Sequence, residues 1–175
     1  TIDQLLILQA KTHTEIVTCY SDATWADDSE TRISQTGYLC TIKGSPVYWT
    51  SRRQRNITYS STESELNALL DGVLECKWIH DLTCELWKIN SFSTTHLIDN
   101  KGLLDKLLKF GTNSKIKHID IKTKGLREHL KNGKISVKLI STKNMIADGL
   151  TKAPSKLSLN LIRDLRSEEH TSELQ

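Results

Sequence analysis

The hydrophobic period of this chain first changes near Ser60, from strand to helix, and that change limits the folds open to it. Before Ser60 the apolar residues come in short runs of strand character. Thr14 to Asp22 reads as a strand through Ile16, Val17, Cys19 and Tyr20. Residues 27–35 read as a loop. Gly37 to Lys43 (GYLCTIK) and Val47 to Ser51 (VYWTS) read as a hairpin turning at Gly44-Ser45-Pro46. From Thr62 to about Trp87 the spacing becomes helical: Leu66, Leu69, Leu70, Val73, Leu74, Ile79 and Leu82 recur at three and four. Ser60, Ser61 and Thr62 are all capable N-caps.

The second half alternates strands and helices. Thr94 to Ile98 predicts a short strand, and Asn100 to Phe110 a helix stopped by Gly111. Lys115 to Lys131 predicts another helix, with Ile119, Leu126 and Leu130 inward and Asn132-Gly133 as its stop. Ile135 to Ile140 (ISVKLI) alternates as a strand, and Asn144 to Lys152 predicts a last short helix ended by Ala153-Pro154. Three meandering strands, then strands joined through helices, imply an α/β domain: a mixed five-stranded sheet, its first three strands antiparallel, flanked by helices.

The 175 residues suit one domain with ragged ends, and a hydrophobic content of 37% suffices for a core. Nothing approaches an apolar run of membrane-spanning length, and no charged-then-apolar leader opens the chain. The chain does not begin with methionine, which suggests a piece of something longer. Cys76, His80 and Cys84 repeat every four residues, but no fourth metal ligand is evident beside them; reduced thiols of an intracellular protein are the reading adopted for all four cysteines. Charge is unevenly spread. Residues 1–100 carry 8 Lys+Arg against 13 Asp+Glu, a balance of −5, whereas residues 101–143 carry 12 against 3, a balance of +9. A basic stretch of this kind offers a surface to phosphate backbones.

Four carboxylates adjoin short apolar runs: Asp22, Glu65, Asp99 and Asp148. In the predicted layout Asp22 lies on the first strand, Asp99 ends the fourth, Glu65 is in the first turn of the long helix and Asp148 in the last helix. One edge of the sheet could collect them. Like charges about 4 Å apart repel by roughly 4 kcal/mol per pair at an effective dielectric near 20, so a gathered cluster must protonate or hold divalent cations. Glu63 and Glu65 share the first turn, and helical phase alone does not separate them. Either has the spacing of a capping-box partner, Glu65 to Thr62 or Glu63 to Ser60.

The stretches YSDATWADD (20–28), TRISQTGYLCTIKGSPVYWTSRRQ (31–54), SSTESELNAL (60–69), LIDNKGLL (97–104), KHIDIKTKGLREHL (117–130) and IADGLTK (146–152) resemble, in order and spacing, the ribonuclease H domain that ends the Pol polyprotein of Copia-type long-terminal-repeat retrotransposons. The resemblance covers about residues 14–153. It implies the ribonuclease H-like fold and hydrolysis of the RNA strand of RNA–DNA hybrids during reverse transcription, with two magnesium ions or manganese in their place. It also implies 5′-phosphate products, the reverse transcriptase domain of the same polyprotein as partner, and a cytoplasmic place inside virus-like particles. Carried over by residue, Asp22, Glu65, Asp99 and Asp148 would be the catalytic, metal-holding set. Glu65 is preferred to Glu63 because Glu65-Leu66-Asn67-Ala68-Leu69 matches the family's register. Hybrid contacts would fall to Asn100, to Arg52, Arg53 and Arg55 after the third strand, and to Lys115, Lys117 and Lys122 on the basic helix.

The loop before Asp148 is only Ser141-Thr142-Lys143-Asn144, without the histidine that many ribonucleases H place there, which implies slow turnover. His118 opens a helix and is read as structural. Trp25-Ala26-Asp27-Asp28 resembles a polymerase motif, but no polymerase palm surrounds it. Two other functions fit less well. A catalytically silent nucleic-acid-binding or polymerase-supporting domain would not need the four acids, and an integrase usually offers three. Residues 1–13 are expected to be the remnant of a polymerase connection and 154–165 a polyprotein tail. Residues 166–175 (RSEEHTSELQ) resemble a translated sequencing adapter.

Overall fold

The computed structural model describes residues 15–109, 117–152 and 156–164. Lys115, the Gly111 stop, Ala153-Pro154 and the end segments 1–13 and 166–175 lie outside the described residues, as does the side chain of His118. Strands β1 (Val17–Thr24), β2 (Gln35–Ile42), β3 (Ser45–Arg53), β4 (Thr94–Ile98) and β5 (Ile135–Leu139) form one sheet in the order β3-β2-β1-β4-β5. Pairs β1–β2 and β2–β3 are antiparallel, whereas β1–β4 and β4–β5 are parallel. Parallel neighbours need crossovers, supplied by α1 (Ser61–Trp87) and by α2 (Lys101–Leu108) with α3 (Lys117–Lys131). The mixed five-stranded sheet predicted from the hydrophobic pattern is therefore the sheet observed.

The hairpin turns one residue earlier than expected. Lys43 and Gly44, with φ of 49° and 82°, form its two-residue loop, and both need the left-handed region. Ser45 and Pro46 join β3, where Pro46 is tolerated because β3 is an edge strand and the ladder is irregular at Cys40/Thr41.

Helix α1 covers the sheet through Leu66, Leu69, Val73, Cys76 and Ile79, all buried at a spacing of three or four. Leu66, Leu69 and Val73 meet Ile98, Leu103, Leu107, Ile119, Leu126 and Ile135 in one core cluster. Each such side chain contributes about 1.5–3 kcal/mol on burial. Leu74, expected inward, is 60% exposed, because one residue past Val73 the helix has already rotated away from the sheet.

Past β5 the predicted helix is two short 3-10 turns, Thr142–Asn144 and Ile146–Leu150. Their bonds span three residues, with the Asp148 amide donating to Met145 and the Thr151 amide to Asp148. The tighter winding places Gly149 against Ser158 and Ile162 of α4 (Lys156–Asp164), a helix the sequence pattern did not bring out. Gly37 of β2 admits the same segment. A Cβ there would come within 2.7 Å of Thr151 Cγ2 and 2.8 Å of Leu150 Cβ.

Candidate active site

Three of the four predicted carboxylates converge. Asp22 and Glu65 are buried and Asp99 half-buried, and each offers an oxygen within 4.8 Å of the others. Asp22 stands on central β1, Asp99 follows β4, its parallel neighbour, and the first turns of α1 bring Glu65 to the strand ends.

The start of α1 decides between Glu63 and Glu65. Ser60 is the N-cap, its hydroxyl accepting from the Glu63 amide at 3.2 Å, while Glu63 Oε2 accepts from the Tyr59 amide at 2.8 Å. Glu63 thus closes a capping-box-like pair, and Glu65 is left for the cluster. One Glu65 oxygen, Oε2, is buried without a hydrogen-bond partner among the described residues. Burial first, then the charges of Asp22 and Asp99, push the Glu65 carboxyl up to about 9, against the opposing pull of the Ala23 amide. Burial also raises Asp22, and the Thr151 hydroxyl opposes it by donating to Asp22 Oδ2 at 2.5 Å. An acid trio with two buried members and an unpartnered oxygen settles by binding a proton or a cation, and its hard oxygen donors suit a divalent one.

Asp148 stands apart from that trio. Its carboxylate pairs with Lys152, one helical turn on, although it remains near enough to raise Asp22. The ammonium is itself held protonated, by Asp148 first and then by Asp22 and Asp99. Thr142 donates to Asp99 Oδ2 at 2.9 Å. Thr142, Thr151 and Lys152 were not singled out from the sequence. The last two stand in the motif IADGLTK, but the Thr151 hydroxyl reaches Asp22 only when the turn packs beside Gly37.

The expected hybrid contacts divide. Arg52, Arg53, Arg55 and Lys122 line one open groove of about 370 Å³ with Gln54, Asn67 and Asp71. Lys122 reaches it from α3 by donating to Asn67 Oδ1 at 2.7 Å. Gln54 ties the groove to α1 by bonding the Ser64 carbonyl at 2.9 Å and the Asn67 side chain at 3.1 Å. Arg52 is paired with Asp71 at 2.8 Å and Arg53 with Asp28 at 3.2 Å, while Arg55 is exposed. Lys117 is exposed at the start of α3 and does not line the groove. Asn100 caps α2, its side chain accepting from the Leu103 amide at 2.9 Å. Arg127, part of the same basic stretch, is buried and donates to the carbonyls of Lys106, Leu107 and Lys109, closing the end of α2.

The Cys76, His80 and Cys84 repeat, read from the sequence as ordinary thiols rather than a metal site, splits between core and surface. Cys76 points into the core, whereas His80 accepts from the Phe92 amide and adjoins Ser91, Asp81 and Cys84.

Comparison with known proteins agrees with this architecture. No family model matches the chain. It is 31% identical over 152 residues to the retrovirus-related Pol polyprotein from transposon RE2 of Arabidopsis thaliana, covering 87% of this chain and 10% of the polyprotein. It is 30% identical over 146 residues to that from transposon TNT 1-94 of Nicotiana tabacum, covering 83% and 11%. The chain therefore spans about a tenth of the length of these relatives. Among solved structures, LC11-RNase H1 superposes with a TM-score of 0.58 at 16% identity, covering 77% of this chain and 91% of that one. The same enzyme in complex with an RNA/DNA hybrid gives 0.57 at 15% identity, covering 82% and 99%. Prototype foamy virus protease–reverse transcriptase gives 0.52 at 15% identity, covering 87% of this chain and 20% of that one. The strand order, the acid trio at the strand ends and the aligned relatives lead to one assignment: this chain, of ribonuclease H-like fold, is related to a stretch of the retrovirus-related Pol polyproteins.

Proposed function

We propose that this domain hydrolyses the RNA strand of RNA–DNA hybrids during reverse transcription of a Copia-type retrotransposon, leaving 5′-phosphate and 3′-hydroxyl ends. One observation carries the reading: Asp22, Glu65 and Asp99 converge at the strand ends of this fold, with a buried Glu65 oxygen that finds no partner among the described residues. Asp22, Glu65 and Asp99 would hold magnesium, and Asp148 would join them once Lys152 releases it. When bound, the two divalent cations supply Lewis acidity at the scissile phosphate and a lowered pKa for the attacking water. The carboxylates bind and orient. Thr151 and Thr142 fix the Asp22 and Asp99 oxygens, and the packing of α1 keeps Glu65 out of bulk water.

Substrate grip falls to the groove of Arg52, Arg53, Arg55 and Lys122, which begins within two turns of Glu65 along α1. Hybrid is the favoured duplex because a neighbour of the same fold is described in complex with one. The polymerase partner is favoured because the aligned relatives are Pol polyproteins and another neighbour is a protease–reverse transcriptase. Such a domain would act in the cytoplasm, inside the element's virus-like particles.

The test is cleavage of a labelled RNA–DNA hybrid with the polymerase portion supplied, in magnesium and in manganese, by the wild type and by Asp22→Asn. Cleavage confined to the RNA strand and lost in the variant is expected. A wild type inactive in both metals overturns the enzymatic reading, and equal activity of the two proteins overturns the site.

A further inference from the structure

A second set of metal-binding side chains lies away from the carboxylates, inside the core. Cys40, Cys19 and His96 occupy one row across β2, β1 and β4, since Cys19 is opposite Cys40 in the antiparallel pair and opposite His96 in the parallel pair. Directly opposed residues present their side chains to the same face of a sheet. Helix α1 covers that face and sets Cys76 over the row, with Cys40 Sγ and Cys76 Sγ 3.6 Å apart. Cys19, Cys76 and His96 each offer a ligand atom within 4.8 Å of the others. All four side chains are fully buried. The helix approaches closely because residue 72 is glycine; a Cβ there would lie 2.7 Å from Cys19 Sγ.

Three buried thiols alone would pass as small apolar groups. The imidazole is what points to a ligand. His96 Nε2 lies 2.9 Å from Thr94 Oγ1, while Nδ1 is buried with no hydrogen-bond partner among the described residues. A ring whose one nitrogen is engaged by a neighbouring oxygen and whose other is bare is the arrangement of a metal-ligating histidine. Burial also keeps the ring neutral, pulling its pKa down to about 4.

We propose that Cys19, Cys40, Cys76 and His96 form a Cys3His site for a structural zinc ion that ties β1, β2 and β4 to α1. Tetrahedral zinc, with bonds of about 2.3 Å to sulfur and 2.0–2.1 Å to nitrogen, sets its ligands about 3.5–3.8 Å apart. The Cys40–Cys76 separation already lies in that range, Cys19, Cys76 and His96 stand within 4.8 Å of one another, and loading must draw together Cys40 and His96, which flank Cys19 on opposite strands. Each thiol that enters coordination gives its proton to solvent, so loading weakens as the pH falls. Soft sulfur ligands separate this site from the carboxylate trio, whose oxygens prefer magnesium.

The experiment uses the 175-residue chain carrying Asp22→Asn, which weakens the carboxylate site, expressed with zinc and kept reduced. About one zinc per chain is expected after dialysis, with a lower melting temperature once a strong chelator removes it. Replacing zinc by cobalt should give thiolate-to-cobalt charge-transfer absorption and the strong visible bands of a tetrahedral site, both lost in Cys76→Ser. Protein that carries no zinc, melts identically with zinc and with chelator, and gives no thiolate–cobalt band overturns the proposal without need of a variant. A band that survives in folded Cys76→Ser also overturns it, as does metal-free protein in which thiol counting finds a Cys40–Cys76 disulfide.

Discussion

Glu65 lies two residues beyond Glu63 on α1, and that offset gives the two carboxylates separate work. A rotation of about 200° along the helix carries the second side chain away from the cap and onto Asp22. Glu63 holds the Tyr59 amide, and Glu65 joins Asp22 and Asp99. Replacing Glu63 by Ala should cost about 0.5–2 kcal/mol of stability while leaving most cleavage activity. Replacing Glu65 by Gln should remove more than about 100-fold of the activity, since even outer partners of metal ligands are worth about 10–100-fold. In chelator the Glu65→Gln protein should melt higher than the wild type at neutral pH, because the wild type must take up a proton at Glu65 on folding and glutamine need not. Paired urea titrations and hybrid-cleavage rates would read both effects, and the opposite ordering would give the cluster role to Glu63.

The acid trio also sets a pH dependence. Glu65 is raised from 4.5 to about 9 by burial and by its acidic neighbours, so the folded state holds a proton there that the unfolded chain releases. Stability then falls as pH rises wherever the native state binds more protons. In chelator its contribution is fully present below about pH 4.5 and is lost as the pH climbs toward 9, with Asp22 shifted in the same direction. Magnesium should flatten the decline by favouring the ionised trio. Melting temperatures across this range, with chelator and with magnesium, provide the check; coincident curves would mean that no cation engages Glu65.

Thr151 donates to Asp22 from a turn that only Gly37 allows so near. Thr151→Val keeps the volume and removes the donor. The loss should be about 10–100-fold in cleavage at low magnesium, partly recovered at high magnesium, because the bond orients a ligand of the cation. Rates measured across a magnesium series distinguish this from simple unfolding, which added metal would not repair at a fixed fraction of folded protein.

The groove makes a prediction in salt. Each lysine or arginine that neutralises a phosphate contributes about −0.7 to −0.9 to the slope of log affinity against log salt. Arg55→Ala and Lys122→Ala should each reduce that slope by roughly one unit. Arg52→Ala should reduce it less, because its guanidinium is already paired with Asp71. Fluorescence anisotropy with a labelled hybrid at several salt concentrations measures all three, and an unchanged slope in Arg55→Ala would remove that residue from the interface.

How much of this was legible beforehand differs by length scale. Thr94 to Ile98 was placed without error because a β-branched pair and an apolar end mark a strand locally, and the long helix was evident from its spacing. The last turn is not the expected helix: its 3-10 winding packs Gly149 against α4, a contact between segments that no local pattern shows.

The chain by itself determined the order of the five strands and the first three helices, the mixed sheet and the candidate acids, since periodicity, caps and carboxylate placement are local properties. Only the tertiary structure decided which acids meet, because convergence depends on helical phase and on strand register. It set Glu63 to the cap and Glu65 to the trio, paired Asp148 with Lys152, and brought Lys122 of α3 to the arginines of β3. It likewise drew Cys19, Cys40, Cys76 and His96, spread over 78 positions, into one buried row and its cover, which no spacing in the chain reveals.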